Sequence, residues 1–182
     1  DINLEVLNKK SLLVFGNGRS YGDSCLNDGG ILLDTCGLDR FIKFDPENGI
    51  LRCEAGVLLS EIIELIIPYG WFLHVTPGTR FVTVGGAIAN DVHGKNHHRV
   101  GTFGCHVSCF EVLRSDGERL FCSKYENSDL FSATLGGIGL TGIIVWAEIS
   151  LQKINSTFLD VETICFNNIS ETNATESFHQ LK

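Results

Sequence analysis

The sequence is short of basic residues, of long apolar runs and of paired cysteine motifs, and each shortage removes a class. Its 22 acidic side chains outnumber 14 basic ones for a net charge of −8, and no basic stretch extends beyond Lys95–Arg99. A long nucleic acid is held by a basic face that neutralises its phosphates, so nucleic-acid binding is disfavoured. A single diphosphate held by backbone amides remains compatible with an acidic protein. The apolar stretches, such as the one near Ile62–Ile67, fall far short of the ~20 residues that cross a bilayer, so an integral membrane protein is not expected. No CxxC pair occurs among the seven cysteines (25, 36, 53, 105, 109, 122 and 165), which argues against zinc ribbons and thioredoxin-type motifs. Most of these cysteines sit beside apolar residues and read as buried free thiols. That suits a reducing, cytoplasmic compartment.

What the chain has in quantity is glycine, and it is clustered. Fifteen of its 20 glycines fall in three stretches: 16–30, 78–104 and 136–142. Clustered glycine marks backbone that turns tightly or approaches a ligand closely. Between the stretches the pattern is α+β. Leu12 to Phe15 reads as a strand entering the first glycine loop, and Gly30 to Asp34 as a second. Phe41 to Phe44 and Ile50 to Glu54 flank Pro46-Glu47-Asn48-Gly49, a hairpin signal. Leu58, Leu59, Ile62, Ile63, Ile66 and Ile67 line one helix face, and Pro68 ends it. Val107 to Arg114 and Arg119 to Cys122 form a second hairpin turning at Asp116-Gly117. Asp129 to Leu135 reads as a short helix and Ile143 to Leu151 as a long strand. Beyond Lys153 the character changes: Thr157 to Phe166 alternates like a strand, and Asn173-Ala174-Thr175-Glu176 resembles a capping box. The expected division is a first domain over 1–153 and the start of a second, truncated one over 154–182.

The first glycine loop, Gly16-Asn17-Gly18-Arg19-Ser20-Tyr21-Gly22, follows a strand but does not read as a Rossmann site. Its spacing is GxGxxxG, and residues 23–30 are turn-formers that cannot supply a crossover helix. It reads instead as a nest of backbone N–H groups suited to an anion, with Arg19 adding charge. In the second stretch, Gly85-Gly86-Ala87 lets backbone approach an extended ligand, and a helix starting there would aim its N-terminus at phosphate. His93, His97 and His98 follow. Gly94 and Asn96 argue against the regular helix that a metal pair would need, and HExxH is absent. A polar surface loop and a cofactor or substrate contact are the other readings of that segment. The third stretch, Leu135 to Ile144, reads as a glycine-rich corner entering a strand.

Taken together, G-x-G-R-S-Y-G-D, P-G-T-R-x-V-T-V-G-G-A-I-x-x-D-x-H-G-K-N-H-H and G-G-x-G-L-T-G-I-I resemble the FAD-binding domain of the vanillyl-alcohol-oxidase flavoprotein superfamily. Within it they are similar to the branch that oxidises polyprenylphosphoryl ribose. The resemblance covers roughly residues 11–152. It implies a PCMH-type domain of two α/β subdomains with mixed and antiparallel sheets. It places Gly18, Arg19, Ser20, Tyr21, Gly22, Gly85, Gly86, Ala87, Ile88, Asn90 and Asp91 along a non-covalently bound FAD. Gly78, Thr79, Gly139, Gly142, Ile143 and Ile144 would line the adenosine side and the flavin edge, and Gly94, Asn96 and His97 would lie near the ring. His93 and Lys95 are the implied catalytic residues, where a cation stabilises charge gained on reduction. No metal is implied. The implied reaction is oxidation of a secondary alcohol of a sugar or lipid-linked sugar, with hydride passing to flavin N5. A partner reductase would complete an epimerisation, and the lipid-linked substrate would place the protein at a membrane periphery. An aldonolactone or alditol oxidase and a non-catalytic nucleotide-binding module are the alternatives.

Overall fold

The computed structural model describes residues 11–158, 160–163 and 165. Two strands, β1 (Leu12–Phe15) and β2 (Ile31–Asp34), pair in parallel with Leu12 opposite Ile31. Parallel neighbours need a long crossover. Here it is the glycine loop itself, bent and turned without a helix, as its turn-forming composition predicts. Thr35 then fastens the end of β1, its N–H and Oγ1 both donating to Phe15 O at 2.9 and 3.1 Å.

The larger sheet is antiparallel throughout. It contains β3 (Phe41–Asp45), β4 (Ile50–Glu54), β6 (Val107–Leu113), β7 (Arg119–Ser123) and β8 (Ile143–Ser150), in the spatial order β3-β4-β8-β6-β7. A third pair joins β5 (Trp71–Phe72) to β9 (Gln152–Lys153). Both expected hairpins are present. In the first, Asp45 Oδ1 accepts from the N–H groups of Glu47 and Asn48. Gly49 follows at φ 65°, where an added Cβ would strike the Trp71 ring, so glycine is required on both counts.

Four short helices complete the domain: α1 (Leu59–Ile66), α2 (Val84–Ala89), α3 (His97–Val100) and α4 (Ser128–Thr134). Pro68 does end α1, although the chain first tightens into a 3₁₀ turn at Ile67–Tyr69. α1 lays Leu59, Ile62 and Ile66 into the core, and α2 adds Val84, Ala87 and Ile88, all fully buried. Across the sheet beneath them, Cys53, Ala147, Phe110 and Cys122 stand in register on four adjacent strands, all without solvent exposure. Three small side chains in that row leave room for one large ring, and Phe131 of α4 stacks on Phe110 at 4.9 Å. The thiols of Cys53 and Cys122 are thus core volume, and burial pushes the Cys53 thiol up to about 12. Cys109 is buried as well, Cys25 and Cys36 are half-buried, and Cys105 and Cys165 are exposed, so all seven are free thiols but fewer are fully buried than expected.

The opposite sheet face is polar and aromatic. Arg52 bonds Glu148 at 2.8 Å while its guanidinium lies 4.6 Å from the Trp146 ring centre. At the sheet's margin, buried Glu54 accepts from Arg40 N, Nε and Nη2. The expected strand at Thr157–Phe166 is not formed by the described residues of that range, whose alternation finds no neighbouring strand to pair with among those described. The expected helix near Asn173, and most of the second domain expected over 154–182, lie outside the described residues.

Two measurements check this account. Phe110→Ala removes a fully buried ring and should destabilise the domain by about 3–5 kcal/mol, read by denaturant unfolding. Arg40's hydrogen bonds hold the Glu54 carboxyl below the ordinary carboxylate range. A carboxyl depressed on folding stabilises above its unfolded value of about 4.3 and loses that contribution as pH falls through the folded value. The gap in thermal midpoint between wild type and Glu54→Gln should therefore be full at neutral pH and shrink in acid below about pH 4.3.

Candidate functional site

An open cleft of about 180 Å³ runs between the end of β1, the start of α2 and the third glycine stretch. Sites that enclose a whole ligand run to roughly 300–1,000 Å³, so this cleft has room for only part of such a molecule. Among the described residues its walls carry one charged side chain, Arg19, and no carboxylate, in a chain whose net charge is −8. Asn17 Nδ2 donates to Phe81 O at 2.7 Å and holds the first loop against the segment leading into α2. The N–H groups of Gly18, Arg19, Ser20 and Tyr21 donate to no partner among the described residues, nor does the Arg19 guanidinium. Successive unpaired donors beside one cation could receive an anion.

The start of α2 is built differently from the expectation. Val84 N–H donates to Val57 O at 2.9 Å and Gly85 N–H to Ala55 O at 2.7 Å. Thr83 caps the helix, accepting from Gly86 N–H on Oγ1 at 3.1 Å and from Ala87 N–H on its carbonyl at 2.8 Å. All four N-terminal donors are therefore spent inside the protein, and the helix offers no free N–H to phosphate. The helix start that the sequence reading aims at phosphate thus has its N–H groups paired, whereas the first loop has four unpaired in succession among the described residues. The two adjacent glycines divide the work. A Cβ on Gly85 would sit 3.0 Å from Ala55 Cβ, so this glycine lets helix and strand touch. A Cβ on Gly86 would meet only Thr83 Oγ1 and otherwise open space.

The third stretch closes the far wall. Gly136 and Ile138 donate to Ile88 O and Ala89 O at 3.0 and 2.8 Å, and Arg114 donates to Thr141 O. Asp91 fixes the corner after α2, accepting from Gly104 N–H at 2.8 Å.

Of the residues singled out from the sequence, Gly18, Arg19, Ser20, Tyr21, Gly85, Gly86, Asn90, Gly139, Gly142 and Ile144 line the cleft. Gly22, Gly78, Thr79, Asp91, Gly94, Asn96 and His97 lie outside its walls, and Ala87, Ile88 and Ile143 are buried hydrophobics. His93 and Lys95 are exposed and also outside the walls. Asn96 instead ties its loop to His74 O at 3.0 Å. His74 and His106 stack at 3.9 Å, and burial, with His106 alongside, lowers the His74 pKa. Among the described residues no cluster of three or more His, Cys, Asp or Glu side chains could hold a metal. No helix among them is long and apolar enough to cross a membrane. The cleft also recruits Thr83, Thr35, Ala55 and Ile138, which the sequence reading left out. Thr83 alone had a signal, as a threonine directly preceding a helix.

The chain belongs to the FAD-binding domain family, whose profile matches residues 4–123, and thus to the vanillyl-alcohol-oxidase type of flavoprotein; its cofactor is FAD. It is similar to the decaprenylphosphoryl-beta-D-ribose oxidase of Mycolicibacterium smegmatis, with 41% identity over 169 residues, 92% of this chain and 37% of that protein. It is 30% identical over 147 residues to L-gulonolactone oxidase of Mus musculus, 80% and 32% of the two chains. Delta(24)-sterol reductase of Homo sapiens is 33% identical over 110 residues, 60% and 21%. The chain spans well under half the length of each of these relatives. The residues present fit FAD: unpaired donors and Arg19 for the diphosphate, and open space at Gly86 for its approach.

A valine at 86 separates space from structure. Gly86→Val should leave a folded protein, its thermal midpoint lowered by a few degrees at most, while the flavin-to-protein ratio falls to near zero. A folded variant with stoichiometric flavin would remove Gly86 from the site.

Proposed function

We propose that this chain is the FAD platform of an oxidoreductase that oxidises a secondary alcohol of a sugar, the C2′ hydroxyl of a polyprenylphosphoryl ribose. The observation that carries the reading is the 41% identity over 92% of the chain with a protein named as an oxidase of such a compound. FAD, when bound, supplies the two-electron acceptor that alcohol oxidation requires.

The first loop and Arg19 would hold the diphosphate, and the walls formed by Gly86, Asn90, Gly139 and Ile144 would order the rest of the cofactor. The alcohol must lose a hydride from carbon and a proton from oxygen. His93 and Lys95, which leave the cleft on the segment just after Asn90, are the groups we assign to that proton and to the charge that develops nearby. Gly94 keeps this segment close to the body of the domain: it is buried, and a Cβ there would lie 2.9 Å from Thr76 O. A separate reductase would return the resulting ketone to the opposite alcohol. The lipid tail of the substrate would keep the protein at the cytoplasmic face of a membrane. The domain division near residue 153 belongs to the same proposal, the remainder of the substrate site lying in further chain.

The first loop carries Ser20 and Tyr21 where covalent members of the superfamily commonly carry a histidine, so the flavin should be held without a covalent bond. Acid precipitation of the full-length protein should release all of its flavin into the supernatant. Anaerobic mixing of the same protein with a polyprenylphosphoryl ribose should bleach the flavin absorbance, and Lys95→Met should slow this about 100-fold with flavin content unchanged. Bleaching by gulonolactone instead would favour the aldonolactone oxidase reading, and flavin binding with no bleaching by either would leave a nucleotide-binding module.

A further inference from the structure

Three non-glycine residues among those described hold positive φ: Asp91 at 41°, Asn127 at 48° and Ile138 at 53°. Aspartate and asparagine visit the left-handed region readily. A β-branched side chain there is crowded against its own backbone and is a true outlier. Ile138 is kept in place by its surroundings, through its own N–H to Ala89 O, Gly136 N–H to Ile88 O and Leu140 N–H to Gly137 O. The same bracket would accept a glycine at 138 with less strain, and glycines stand on both sides of it.

Core packing does not account for the isoleucine. Ile138 is 54% exposed and belongs neither to the hydrophobic core nor to the apolar residues packed against it. It lines the cleft, next to Gly139. Strain held by an over-determined backbone at a ligand wall is a mark of function. The chemistry of the wall says what it meets. The only charge in the cleft is at Arg19, so the phosphates belong to the first loop, and an exposed branched alkyl group elsewhere in the wall suits the face of a flat ring.

We propose that Ile138 is a cofactor-contact residue whose side chain packs against a heteroaromatic ring of FAD, and that its left-handed backbone is retained to present it. The inference rests on the cleft being the FAD site. The test compares Ile138→Asn and Ile138→Gly with wild type in the full-length protein, measuring on each preparation the thermal midpoint of the apoprotein and the Kd for FAD. Asparagine relieves the strain at similar bulk without the alkyl face. Glycine relieves it fully but also loosens the unfolded chain, so asparagine gives the cleaner stability comparison. The expected result is an asparagine apoprotein no less stable than wild type, with FAD bound roughly tenfold more weakly by both variants. Weaker binding of ADP would assign the contact to adenine and weaker binding of FMN to the flavin ring, and either supports the proposal. Variants whose FAD Kd stays within twofold of wild type would overturn it while leaving the site intact. A wild-type protein that binds no FAD would overturn the site as well.

Discussion

The short helix Val84–Ala89 is fastened at both ends by its neighbours, and the cleft exists because of that fastening. At its start the carbonyls of Ala55 and Val57 take its first two N–H groups. This requires the helix backbone to lie against the end of β4, which Gly85 alone allows. At its end the carbonyls of Ile88 and Ala89 accept from Gly136 and Ile138, which fixes the opposite wall. Its buried face, Val84, Ala87 and Ile88, rests on a sheet whose central row is thinned by Cys53, Ala147 and Cys122. Six residues would not hold a helix in water. Here tertiary contacts replace length, and the first glycine loop, tied down by Asn17, faces a rigid partner.

This arrangement divides the labour of cofactor binding. Backbone donors already paired inside the protein cannot also serve a phosphate, since each N–H carries one proton. On the proposed reading, charge recognition falls to the loop whose donors remain unpaired, with Arg19 beside it. An acidic protein would hold a diphosphate in this way, since the described residues of the cleft walls include no carboxylate to repel it.

Much of the fold was legible in the sequence. The two hairpins, α1 with its apolar stripe, and the long strand before Ser150 all follow from periodicity and turn chemistry. The absence of a crossover helix between β1 and β2 followed from the turn-formers at 23–30. The candidate site was legible as glycine clusters and less so as geometry. Gly85 and Gly86 look alike in the sequence, and only the position of Ala55 tells them apart. The pairing of the first two α2 donors depends on the carbonyls of Val57 and Ala55, which no local pattern records. Ile138 carries no signal at all, since isoleucine is among the residues least expected at positive φ. The described residues of the range 157–166 form no strand for the complementary reason: alternation makes a strand only where a neighbour is there to pair with it, and none is among the described residues.

The claim on which the account turns is that the first loop, and not the N-terminus of α2, receives the phosphates. Backbone amide shifts of isotopically labelled protein during titration with ADP test it most directly. The account predicts large downfield proton shifts at Gly18, Arg19, Ser20 and Tyr21, with the amides of Val84, Gly85, Gly86 and Ala87 keeping the shifts set by their internal partners. Downfield movement at the four helix amides with the loop unchanged would contradict it.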